Sequence, residues 1–125
     1  MRGDEDVGVR LRDILRAIAG IRDTVGGLGL ENYTTVWSIK HASERGIEII
    51  SGASRHVPDT LKHSEPEIPW RQIADVGNVL RHGYQTVSDH VIWDIITNHL
   101  GPLEGAVRRM LERLDSGGQQ HENRT

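Results

Sequence analysis

Apolar residues recur at intervals of three and four along nearly the whole chain, and that period predicts helices rather than strands. Leu11, Ile14, Leu15, Ile18, Ile21 and Val25 form one face of a first helix, with Arg12, Asp13, Arg16, Arg22 and Asp23 mostly off it. Gly26 and Gly27 are placed to stop it. A second helix is expected from Asn32 or Thr34 to about Val57, ahead of Pro58. Its stripe is Val36, Ile39, Ser43, Gly46, Ile47, Ile50, Ala53 and Val57. The small residues Ser43, Gly46 and Gly52 suit close helix packing, either within one chain or across a two-fold axis. The segment from Pro58 to Pro69 holds three prolines and reads as a loop. Pro69 fits the first turn of a third helix, whose apolar side is Trp70, Ile73, Ala74, Val76, Gly77 and Leu80, with Gly83 placed to end it. Ser88 or Asp89 caps a fourth, which buries Val91, Ile92, Ile95 and Ile96. Gly101 and Pro102 predict a kink or break before Leu103, Val107, Met110, Leu111 and Leu114 continue the pattern. No alternating, strand-like pattern is present. The expected fold is all-α, an antiparallel bundle of four to five helices over residues 1–115, with 116–125 a disordered polar tail.

Composition narrows the chemistry. With 36% hydrophobic and 26% charged residues and no Phe, the core must come from Leu, Ile, Val and the three Trp. Trp37, Trp70 and Trp93 are expected in the core or at a dimer contact. The absence of Cys excludes disulfides, thiolate metal sites and cysteine nucleophiles. Seven His are scattered, and the nearest candidate pair, His56 and His63, is divided by Pro58, so neither a metal site nor a cofactor is expected. No apolar run approaches a membrane span, and the acidic N-terminus lacks a hydrophobic signal region, which leaves the cytoplasm as the default compartment. A net charge of −3 argues against a large non-specific nucleic-acid surface but permits a local basic site. Arg108, Arg109 and Arg113 read as a solvated face offset by Glu104, Glu112 and Asp115.

The segment that carries candidate chemistry is IPWRQIADVGNVLRHGYQTVSDHVIW, residues 68–93. On a helix Asn78 and His82 share a face, and Arg81 lies three residues from Asn78. A turn at Gly83 would let Tyr84 fold back towards His82. The set suits phosphate or RNA chemistry, because His exchanges protons near neutral pH and Arg stabilises a developing phosphorane charge.

These residues resemble the HepT-like family of the HEPN superfamily. The matching blocks are RLRDILRAIAGI, IEIISGASRHVP, PEIPW and GNVLRHGY followed by VIW, in the family's order and spacing. The resemblance implies a helical bundle that forms a homodimer, with two copies of the motif facing each other across a cleft. It also implies a metal-independent endoribonuclease toxin that acts on RNA and is neutralised by a minimal nucleotidyltransferase antitoxin. His82 matches the family's catalytic His, Tyr84 its AMP-accepting Tyr, and Asn78 the polar residue that often follows the signature Arg. The chain departs from the pattern where that Arg should stand, because the position is Gly77, with Val76 and Asp75 before it. The second-helix block reads Ile50-Ser51-Gly52-Ala53, without the Glu common in the family. Arg81 is the first candidate to replace the missing guanidinium, and Arg71 the second. A dimer that binds a nucleotidyltransferase, nucleotide or RNA without cutting is the alternative expectation.

Overall fold

The computed structural model describes residues 2–82 and 88–123, and among them every regular element is a helix. In chain order these are α1 (Arg2–Val25), α2 (Leu30–Thr35), α3 (Trp37–Ser54), α4 (Asp59–His63), α5 (Trp70–His82) and α6 (Asp89–Asp94). A π-helical turn (Ile95–His99) then leads without a gap into α7 (Leu100–Asn123). The all-α architecture expected from the periodicity is what the chain adopts, with two short helices beyond the expected set. Among the described residues, no helix is long and apolar enough to cross a membrane.

Acidic Asp4 and Glu5 in the first turn of α1 and Arg22 in the last complement its dipole. Its stripe Leu11, Ile14, Ile18, Ile21 and Val25 is buried, and each such side chain contributes roughly 1.5–3 kcal/mol of burial. Gly26 ends the helix at φ 51°, the left-handed position where a Cβ is unfavourable.

The single second helix expected from Asn32 or Thr34 is divided in two. Val36 is extended, at φ −98° and ψ 106°, and separates α2 from α3. The β-branched run Thr34-Thr35-Val36 explains the break: both Thr hydroxyls donate to the Glu31 carbonyl, at 3.0 and 2.8 Å, where they compete with the helix ladder. α2 buries Tyr33, whose ring lies 5.5 Å from that of Trp93. Trp70 and Trp93 are partly buried against the core. Trp37, the first residue of α3, is 74% exposed and lies against the His41 ring instead of in the core.

The small-residue stripe of α3 packs within the chain at Gly46. A Cβ there would lie 2.5 Å from Ile21 Cγ1, so α1 and α3 can come this close only because residue 46 has no side chain. A Cβ at Gly52, by contrast, would meet nothing within 4 Å.

The proline segment contains α4, one short helix rather than a plain loop. After it, Glu65 is buried and accepts hydrogen bonds from Arg109 Nε at 3.1 and 3.2 Å, Arg109 Nη2 at 2.7 Å and Arg113 Nη1 at 2.7 Å. Hydrogen bonding from Arg109 is the main cause that holds its carboxyl below the usual carboxylate range. Arg109 and Arg113 therefore anchor this connection to α7, and are not simply the solvated face expected. Ile73 N donates to the Pro69 carbonyl at 3.1 Å, which places Pro69 just ahead of α5.

Ser88 caps α6, its hydroxyl accepting from His90 N at 3.2 Å. The disruption expected at Gly101 and Pro102 is displaced upstream. Pro102 has no N–H to give to the Asn98 carbonyl and its ring crowds that oxygen, and the wider π turn over Ile95–His99 accommodates both effects without ending the helix. The helix then continues to Asn123, past Ser116, where the tail was expected to begin.

Candidate functional site at the end of α5

α5 lies against α3 at a point fixed by one serine and one glycine. Ser51 Oγ donates to the Ala74 carbonyl at 2.9 Å and accepts from Gly77 N at 3.1 Å. Gly77 is buried, and a Cβ on it would stand 2.6 Å from Ser51 Cβ. The position that holds Arg in the family's signature is therefore a helix–helix contact in this chain. No larger side chain fits there while Ser51 keeps its place.

Beyond that contact the last turns of α5 face outward. Asn78, Arg81 and His82 are all exposed, and none makes a side-chain hydrogen bond or ion pair with another described residue. Ala74, Asn78 and His82 follow at intervals of four and so share one flank. Arg81 Nη2 folds back over the preceding turn to within 3.9 Å of the place a Gly77 Cβ would occupy. The guanidinium thus reaches the turn from which the signature side chain would start. Arg71 is exposed near the opposite end of α5. Tyr84 lies outside the described residues.

Sequence reasoning missed one residue of this neighbourhood. Arg55, at the C-cap of α3, donates from Nη2 to the Ala74 carbonyl at 2.6 Å. It stands four residues after Ser51 and so on the same face of α3. The sequence carried no signal for it, because the Ser51–Gly77 contact that brings Arg55 to α5 joins two different helices.

The other flank of α5 is different in kind. Gln72, Ile73 and Val76 line a groove of about 1120 Å³, closed on its far side by Val91, Ile95 and Pro102. Val91 is 51% exposed at its edge. Asn78, Arg81 and His82 do not line it. Among the described residues, no group of three or more His, Asp or Glu side chains is arranged to hold a metal ion.

Comparison with known proteins identifies the family. The profile described as "Ribonuclease HepT-like" matches residues 14–110. A "Probable ribonuclease HepT" of Thermococcus cleftensis is 31% identical over 100 residues, covering 80% of this chain and 91% of that protein. A protein of Caldanaerobacter subterraneus subsp. tengcongensis, provisionally named an RNase, is 27% identical over 82% of this chain and 92% of its own length. Another so named, from Methanocaldococcus jannaschii, is 28% identical over 75% of this chain and 78% of its own. No solved structure matches the chain. The match spans every helix from the middle of α1 to the middle of α7, the outward-facing end of α5 included, and the chain belongs to the ribonuclease HepT-like family.

Proposed function

We propose that the chain is an endoribonuclease of the HepT type, the toxin of a pair with a nucleotidyltransferase antitoxin. The observation that supports this reading is the exposure of an imidazole, a carboxamide and a guanidinium on the last turns of α5, with Arg81 folded over Gly77. His82 takes the proton from a ribose 2′-hydroxyl, whose oxygen attacks the adjacent phosphorus. The bond to the 5′ oxygen breaks, and that oxygen leaves with a proton from water. The products are a 2′,3′-cyclic phosphate and a 5′-hydroxyl. Arg81, with Asn78 beside it, stabilises the charge that develops on the phosphoryl oxygens. The nucleophile is part of the substrate, so the step requires only proton transfer and anion stabilisation and no metal or other cofactor. On this reading the protein acts in the cytoplasm. The family resemblance further suggests Tyr84 as the residue to which the antitoxin attaches AMP.

A homodimer is part of this reading. The apolar groove beside α5 supplies surface that a second copy can cover, and it leaves the Asn78–His82 flank open.

The buried Gly77 favours a second reading, in which the dimer binds RNA, nucleotide or the nucleotidyltransferase without cutting. Incubation of purified protein with total RNA in EDTA separates the two. The first reading expects cleavage by the parent and a loss of at least a hundredfold in His82→Ala. Cleavage that survives His82→Ala removes His82 from the mechanism, and a folded parent that cuts nothing leaves the binding reading.

A further inference from the structure

Gly77 removes a guanidinium from α5, but it also lets α3 come close enough to supply one. Ser51 occupies the space that a side chain at 77 would fill, and Arg55, one turn further along α3, is thereby brought to the Ala74 carbonyl at 2.6 Å. Ala74 and Gly77 are three residues apart, about 4.5 Å along the helix axis. Arg55 from one helix and Arg81 from the next turn of the other therefore meet the same short stretch of α5. Asn78 lies between them in the sequence, on the flank it shares with Ala74.

Neither arginine is paired with a carboxylate among the described residues. Arg109 and Arg113, in contrast, both converge on Glu65. Two neighbouring guanidinium groups repel each other unless an anion lies between them, and each has five donors, of which Arg55 gives only one to Ala74. The planar fork of Arg suits two oxygens of a phosphodiester.

We infer that Arg55 and Arg81 form a two-arginine clamp for a phosphate of the RNA backbone, with Arg55 contributing the cation that position 77 lacks. The inference rests on the ribonuclease reading and deepens it, because it assigns a substrate contact to a helix outside the family's motif. A phosphate held there would sit one to two turns before His82 along α5, which suits the scissile group or its neighbour.

The test measures binding of a fluorescein-labelled single-stranded RNA to His82→Ala protein, which leaves the probe uncut, across a salt series in EDTA. Arg55→Ala and Arg81→Ala should each weaken binding about tenfold and lower the salt slope by roughly 0.7. Because Arg55 also hydrogen bonds the Ala74 carbonyl, two further variants separate that role from phosphate binding. Arg55→Gln keeps a neutral donor and should bind as weakly as Arg55→Ala, whereas Arg55→Lys keeps the charge and should recover most of the affinity. Recovery by Gln, or an unchanged slope in Arg55→Ala, overturns the clamp. If the parent binds and cuts RNA while Arg55 variants are unaffected, only this inference fails. If the parent neither binds nor cuts RNA, the inference and the ribonuclease reading fail together.

Discussion

Gly77 stands at the contact between α3 and α5. It removes a guanidinium from the expected place and simultaneously sets the spacing of α3 and α5 through Ser51. Restoring the family's residue should therefore damage the fold before it can help the chemistry. We expect Gly77→Arg to lower stability by about 1–3 kcal/mol, the usual range for overpacking, despite the gain in helix propensity. Adding Ser51→Gly should recover most of that loss, and urea denaturation of both single variants and the double variant measures the coupling. A Gly77→Arg protein as stable as the parent would mean that the close approach does not constrain position 77. The sequence made Asn78, Arg81 and His82 legible, because all three lie on one helix and their register follows from counting. The absence of the signature Arg was equally plain. Arg55 was not legible in the same way, since its relation to α5 depends on how closely two helices pack, and spacing along one helix carries no information about its neighbour.

The same limit separates the elements that were expected correctly from those that were not. α1 and α5 have unbroken apolar stripes and clear start or stop signals, so their existence followed from period alone. The break at Val36 did not, because it reflects three β-branched residues in a row competing with a stripe that continues through them. The proline segment hid both α4 and the role of Glu65. That carboxylate joins the α4–α5 connection to α7 through Arg109 and Arg113. Its pKa is held below the ordinary 4.5, so the contact contributes stability above that value and loses it as pH falls through the lower, folded-state value. Both arginines are about half exposed, which limits the effect through solvent screening. Glu65→Gln should cost about 1–2 kcal/mol at pH 7, and the gap from the parent should narrow below pH 4.5. Denaturant midpoints at pH 7 and in acid measure it, and a gap that widens on acidification would contradict the assignment.

At the scale of the whole molecule, the two flanks of α5 differ in character. One presents Asn78 and His82, and the other opens on an apolar groove whose edge includes the half-exposed Val91. If a second copy covers that groove, Val91→Asp should convert a dimer to monomers while leaving the helix content unchanged. Light scattering after size exclusion and circular dichroism together check this, and an intact Val91→Asp dimer would place the interface elsewhere. The far wall of the groove depends on the π turn over Ile95–His99. Ile92, Ile96 and Leu100 are buried at two successive intervals of four, a spacing that would carry a stripe about 80° round a regular α-helix. The turn holds one residue more than an α turn and takes up that drift, so Leu103, Val107 and Met110 re-enter the core in step with α6. Those five residues thus act as a phase adjustment: they set the angular position at which α7 leaves the turn, and with it whether Arg109 and Arg113 arrive facing Glu65 or facing water.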